Sequence, residues 1–478
     1  MTALATLKKL FARSTPAKQA RSKFFRPAID ALEDRRLMAV FIVDDDFAAD
    51  NPARRQYTTI QGAVDAAITP VGNRAGDSIV VRPGLYNESV SIDKRITITG
   101  AVAPAIPFIG NRPYANDPSL NPARASIVDP ATGAGFTITA SNVILQGFTV
   151  ANFDESEDTQ GIVVTGGTAN KILRNVIVDN TIGISLATDT ATSNVGAART
   201  TYVTGNVLRD NNTLGAAAGN GIYSDAGLRN VSITANRITG HENASILAIT
   251  TVDTDFNTSV TIASNLIGNQ VTGEADSAII LANLTNSTVV GNVMRNIYNN
   301  GTGIALVGGV SNVKVLSNNL ANGAFTGINV IFRPGDYAVA APNSNNLIQG
   351  NVITNFGDGG IRLREGANNN VVKANVVQKN GFGASEADAN DGFGSGISLE
   401  DAIDNIVELN VSYYNDTDGF YADLLSSGNI IRNNTGLFNG EHDFHDDSIG
   451  AGTAGTANTY TNNRGRNGSP AGLIRFRY

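Results

Sequence analysis

The chain has 478 residues, with no Cys, no Trp, 50 Gly and 55 Asn, and only 16% of its residues are charged. The missing Cys excludes a disulfide framework, a Cys zinc site and a thiol nucleophile. The 42% hydrophobic share excludes a disordered chain, and no apolar run approaches the roughly 18 residues of a membrane-spanning helix. The net charge of −8 divides into +6 for residues 1–38 and −14 for the rest, so nucleic acid is not an expected partner of the acidic main body.

Residues 1–38 read as a separate processing or targeting element. They lack the apolar stretch of an ordinary secretory signal, because Lys8-Lys9 follows the short run Ala3 to Leu7. Within them, Arg26 to Met38 resembles the Leu-Glu-x-Arg-x-Leu-Leu sorting segment that opens many secreted or surface proteins of planctomycete-type bacteria. Leu32, Glu33, Arg35 and Leu37 match, and Met38 stands in for the last Leu. The resemblance implies export to the cell surface or beyond.

Residues 39–100 have a character of their own. Ile60, Val64, Ala67 and Ile68 fall on one helical face, with Thr58-Thr59 supplying an N-cap. Short alternating segments come next: Ile79 to Val81, Tyr86 to Ile92 and Ile96 to Thr99. The block from Tyr57 to Gly100 resembles the N-terminal block of the pectin-lyase-like superfamily of right-handed parallel β-helices. That resemblance implies an amphipathic helix laid across the first coil, which a solenoid needs to cover its open apolar end.

From about residue 141 two phrases alternate. One is Gly-Ile-x-apolar, beginning at Gly161, Gly183, Gly221, Gly303, Gly327, Gly360 and Gly396, with variants at Ser245, Ala278, Gly419 and Asp443. The other is Asn followed by an apolar or β-branched residue, at Asn175, Asn206, Asn236, Asn265, Asn292, Asn319, Asn351, Asn375, Asn410 and Asn434; at Asn236 an Arg intervenes. Most Gly-Ile steps are 22–25 residues, and the longer ones carry insertions. Each phrase alternates apolar and polar residues over three to five positions, a strand pattern. The fold expected over residues 101–465 is all-β, a single right-handed parallel β-helix of about a dozen coils, with residues 466–478 as a tail. The Asn are expected to turn the chain in the left-handed conformation and to stack as amide ladders.

The insertions at 187–201, 251–257, 332–344 and 382–395 all flank the Gly-Ile strand, which points to the outward face of that sheet as a groove. Alternation then gives its polar residues. Asn329, Arg362, Tyr421 and Asp447 are candidates for substrate binding. Arg364, Glu400, Asp423 and His445 are candidates for catalysis, in a charged column with a rung every ~4.8 Å.

Three readings of that column are open. It can be a solvated face with cross-strand Arg–Glu pairs. It can be a carbohydrate-active site, because carboxylates one coil apart suit a retaining glycosidase and wider ones an inverting enzyme. In the lyase version Arg364 or His445 abstracts a proton next to a uronate carboxylate, with calcium neutralising charge. It can also be a glycan-binding groove without turnover. The partner in the last two is a polysaccharide or surface glycan, handled by a monomer with no membrane span.

Two acidic clusters, Asp44-Asp45-Asp46 with Asp50 and Glu386-Asp388-Asp391, read as solvated acids, with calcium as the candidate ion for the second. Residues 438–465 resemble the last-coil closure of extracellular β-helix repeat proteins. That implies a structural role for His442, His445 and Asp446. The chain has neither the Asp-Pro-His-Asp segment of alginate epimerases nor a pectate-lyase signature.

Overall fold

The computed structural model describes residues 38–477 apart from 69–75, 102–116, 131, 154–157, 189–198, 252–256, 269–276, 298–300, 336–340 and 384–391. The basic segment, the middles of the insertions and the Glu386–Asp388–Asp391 cluster therefore lie outside the described residues.

Strands of two to seven residues pair in parallel with the strand one coil earlier and one coil later. Among the described residues they form three long parallel sheets, of 17, 15 and 14 strands. Each coil contributes a strand to each sheet, which is the architecture of a parallel β-helix. The third sheet holds the Gly-Ile strands. Ile162, Ile184, Ile222, Ile246, Ile279, Ile304, Ile328, Ile361, Ile397, Phe420 and Phe444 stack in register down its inner side, all buried. Burying each such side chain contributes roughly 1.5–3 kcal/mol.

The Gly before each Ile has a steric cause. A Cβ on Gly183 would lie 2.5 Å from the Gly221 carbonyl oxygen of the next coil and 2.9 Å from Leu208 Cδ2. At Gly360 the same contacts, to Gly396 O and Val377 Cγ1, are 2.4 and 2.1 Å. The chain passes too close to its neighbouring coil for a side chain here.

Asn marks the corner between the first and second sheets, but its job differs in part from the expected one. The left-handed residue is the one before it: Arg174, Ala235, Ser317, Ala374 and Leu409 have φ between 51° and 59°. The Asn itself points inward. Asn175, Asn206, Asn236, Asn265, Asn292, Asn318, Asn351, Asn375, Asn410, Asn434 and Asn463 form one buried ladder, each Nδ2 donating to the Oδ1 of the next at 2.9–3.3 Å. The rung in the Asn318-Asn319 pair is Asn318, because Asn319 already belongs to the following strand.

The N-terminal end is closed by the helix Ile60–Ala66. Thr59 caps it, its hydroxyl accepting from the Gly62 N–H at 3.2 Å. Ile60, Ala63, Val64 and Ala67 are buried, but Ile68 is exposed, because the helix ends at Ala66 and Ala67 turns extended. The helix also blunts a sheet edge. Gln61 Oε1 accepts from the Ser91 N–H at 2.7 Å, on the first strand of the third sheet. At the other end, strand pairing continues past residue 465, with Phe444 opposite Gly468 and Arg464 opposite Phe476.

Candidate functional site

The outward side of the third sheet carries one register column: Val163, Ser185, Tyr223, Leu247, Ile280, Ala305, Asn329, Arg362, Ser398, Tyr421 and His445. Its middle is apolar. Leu247, Ile280 and Ala305 join Ala244, Ile249, Ala282 and Val307 in a buried cluster on the outside of the sheet. From Asn329 onward the column is polar. Beside it, the N–H groups of Arg364, Glu400, Asp423 and Asp447 donate to Val330, Leu363, Leu399 and Ala422, each one coil back. The predicted column of Arg364, Glu400, Asp423 and Asp447 therefore has the expected backbone register.

Its side chains divide into two groups with different chemistry. In the first, Arg362 is fully buried rather than groove-lining. Its Nε and Nη2 donate to Glu400 Oε1 and Oε2 at 2.8 and 2.6 Å, and its Nη1 to Asp358 Oδ2 at 2.5 Å. The Phe393 ring lies 4.2 Å from the guanidinium carbon. Gly392, left-handed at φ +73°, sits against Glu400, Ser398 and Tyr421: a Cβ there would meet Glu400 Oε1 at 2.7 Å. Phe393 and Gly392 thus close over the column, and Tyr421 is buried as well. Burial pushes the Glu400 and Asp358 carboxyls up, while Arg362 pulls both the other way. Arg364 stays partly exposed, its Nε 3.3 Å from Glu400 Oε2.

Asp423 is occupied too. Its carboxylate accepts from the N–H groups of Asp401, Leu425 and Ser426 at 2.8–3.2 Å, anchoring a turn. Arg364 and Glu400 touch, but the bonds of Asp423 run to backbone. Glu400 points at Arg362 and Asp423 at a turn, so neither carboxylate is aimed at open space as a glycosidase pair would be.

The second group is different. His445 Nδ1 lies 3.1 Å from Asp418 Oδ2 and its Nε2 3.1 Å from Asp447 Oδ1. His442 Nδ1 lies 3.3 Å from Asp418 Oδ1, and the Tyr421 hydroxyl donates to Asp447 Oδ2 at 3.1 Å. The Asp418 contact holds the His445 imidazole above the usual histidine range against the pull of burial. Burial pushes the Tyr421 phenol up, and the adjacent Asp447 adds to this. His445 keeps 19% of its side-chain surface, His442 32% and Asp447 50%, so this group reaches solvent.

Strand alternation does not reach Asp418 and Asp358. Both precede a Gly phrase, as Asp418-Gly419 and Asp358-Gly359, just before the alternating strand begins. From that place Asp358 reaches Arg362 of its own strand, and Asp418 reaches His442 and His445 of the next coil. Asp446 is structural, bonded to Ser448 and Asn458, in keeping with a closure. Of the N-terminal acids, Asp44 pairs with Arg82 at 2.6 Å, Asp45 accepts from the Leu85 N–H and Asp50 from Thr58.

Known proteins share this architecture. The family model described as "Periplasmic copper-binding protein (NosD)" matches residues 123–330, and the one described as "Right handed beta helix region" matches residues 321–474. Among solved structures the chain is similar to the DFA-IIIase of Arthrobacter chlorophenolicus A6, at 16% identity over 82% of this chain and 94% of that one, with a TM-score of 0.50. It is also similar to the A-module of the Azotobacter vinelandii mannuronan C-5 epimerase AlgE6, at 14% identity over 91% and 98%, TM-score 0.41. A third is the periplasmic alginate epimerase AlgG, at 11% identity over 81% and 76%, TM-score 0.43. No curated protein matches. The chain is a right-handed parallel β-helix protein.

Copper, named in the first description, favours imidazole and sulfur ligands. Within residues 123–330 the one His, His241, is sealed in an Asn ladder and the one Met, Met294, lies in the core. Among the described residues that span holds no cluster of three His, Cys, Asp or Glu ligand atoms. The residues present there do not fit a copper site.

Proposed function

We propose that this chain is an exported protein that binds an acidic polysaccharide along the outward face of the third sheet and carries, at Asp418, Tyr421, His442, His445 and Asp447, the groups to break it as a lyase or hydrolase. The observation behind this reading is the solvent-reaching cluster itself. It lies in the polar part of the outward column, where the shared carboxylates of Asp418 and Asp447 link both His and Tyr421 while His442, His445 and Asp447 keep exposed surface. Asp447, half exposed between Tyr421 and His445, is placed to exchange a proton with a bound ligand. Arg364 supplies a partly exposed cation three coils away, on the order of 14 Å, a span that a polymer bridges.

A second reading, a non-catalytic surface or matrix scaffold, is favoured by one specific fact: Arg362, Glu400 and Asp423 are all engaged in internal bonds. A panel of acidic polysaccharides separates the two. The catalytic reading expects unsaturated uronates or new reducing ends, lost in Tyr421→Phe and Asp447→Asn with binding retained. Binding without either product across the panel selects the scaffold, and no binding at all rejects the glycan reading.

A further inference from the structure

We propose that Asp418, His442 and His445 form a binding site for a divalent transition metal of the zinc type, with His442 Nδ1, His445 Nδ1 and the Asp418 carboxylate as ligands. One ligand atom from each of the three lies within 4.8 Å of the others. The two Nδ1 atoms lie 3.3 Å from Asp418 Oδ1 and 3.1 Å from Asp418 Oδ2, close to the edge length of a coordination polyhedron. Metal–ligand bonds of about 2.0–2.2 Å meeting at a tetrahedral angle place neighbouring ligand atoms roughly 3.3–3.6 Å apart.

Two further observations point to a cation. First, His445 Nδ1 lies 3.1 Å from Asp418 Oδ2 and its Nε2 3.1 Å from Asp447 Oδ1, so Asp447 can keep a proton on Nε2 when a metal takes the place of the one on Nδ1. A carboxylate on the far nitrogen of a ligating His, itself fixed by Tyr421, is also the usual outer support of a metal-bound imidazole. Second, His442 Nδ1 is shielded from solvent and makes no hydrogen bond, although it lies 3.3 Å from Asp418 Oδ1. The position is preformed, because the His442 N–H donates to that same Asp418 oxygen at 3.1 Å.

Two imidazoles and one carboxylate suit zinc and its neighbours rather than calcium, which takes oxygen ligands. Three protein ligands leave a position open for water or substrate, as catalytic zinc sites do. The cluster lies at residues 418–445, outside the segment matched by the copper-binding description. Its existence is independent of the glycan reading, and only its role, polarising a bound uronate or water, rests on that reading.

The test is titration of the chelator-stripped full chain with Zn²⁺ by calorimetry, and with Co²⁺ by visible spectroscopy. One saturable equivalent is expected, with the Co²⁺ bands of a low-coordinate nitrogen-oxygen site. His442→Gln and His445→Gln should abolish it, and Asp447→Asn should weaken it about 10–100-fold. Melting temperatures taken in EDTA show whether each variant is folded. If either His variant fails to fold, Asp447→Asn and the Co²⁺ spectrum decide. No saturable equivalent, or binding unchanged in the folded variants, overturns the site. Glycan binding measured in EDTA reports on the polysaccharide reading separately.

Discussion

Arg362 and Glu400 meet through two parallel hydrogen bonds, Nε to Oε1 at 2.8 Å and Nη2 to Oε2 at 2.6 Å, with Arg362 wholly buried beneath Phe393. A buried charge left without its partner is strongly destabilising. Glu400→Gln strands part of the Arg362 charge and should lower the unfolding free energy by about 3–5 kcal/mol, read from the urea midpoint. A Glu400→Gln protein of native stability that has lost turnover would instead make Glu400 catalytic.

Asn351 makes a different kind of buried contact. Its Oδ1 accepts from the N–H and Nδ2 of Asn318, and its Nδ2 donates to Asn375 Oδ1 and Val315 O. Every polar atom of the amide is used. Asn351→Ala leaves donors and acceptors unmatched on both neighbouring coils, at about 1–3 kcal/mol for each stranded group. Asn355 provides the contrast. Its Nδ2 donates to an Asn of the preceding coil, Asn322 Oδ1 at 2.9 Å, but on the exposed surface. Asn355→Ala removes this exposed bond and an Asn from a left-handed position (φ +61°), and should cost about 1 kcal/mol, less than Asn351→Ala. Equal losses in chemical denaturation of the two variants would refute the ladder as a stabilising device.

Gln61 acts on association more than on stability. Its side chain occupies the Ser91 N–H at the open edge of the third sheet. Gln61→Ala removes its side-chain bonds to the Ser91 N–H and carbonyl and to Asp65, about 1 kcal/mol each at most, and bares a template for another chain. Sedimentation velocity should show concentration-dependent association in Gln61→Ala and none in the parent. A strictly monomeric variant would mean that the helix alone protects this edge.

The coil period, the Gly-Ile strand and its outward column are legible in the sequence because they follow from alternation and repeat spacing. Gly183 is legible for the same reason, since a position too crowded for Cβ recurs in most coils. The roles of the polar residues are not legible in that way. Alternation says that Arg362 points outward, but not that Phe393, well along the next insertion, folds over it. Nor does it show that Asp418 belongs with His445, because that pairing joins the start of one coil to the strand of the next. The corner Asn are half legible: their abundance signals turns and ladders, but only backbone geometry shows that the preceding residue takes the left-handed conformation.

His241 occupies a ladder position that elsewhere belongs to Asn. Asn180 donates to Asn211 Oδ1, and Asn211 Nδ2 meets His241 Nε2 at 3.1 Å, while His241 Nδ1 is buried without a partner. Complete burial pushes the imidazole down to about 3, from 6.5. The unfolded chain therefore takes up a proton below pH 6.5 that the folded chain refuses until about pH 3. Stability is full at neutral pH and falls as the pH drops through that window, by about 1.4 kcal/mol per unit once well below the unfolded value. His241→Asn restores an amide that can accept from Asn211 and removes the titrating group. Urea midpoints at about pH 7 and about pH 4.5 should converge in this variant relative to the parent, recovering about 2–3 kcal/mol of the acid loss. An identical pH dependence in both proteins would mean that His241 is protonated, and solvated, in the folded state.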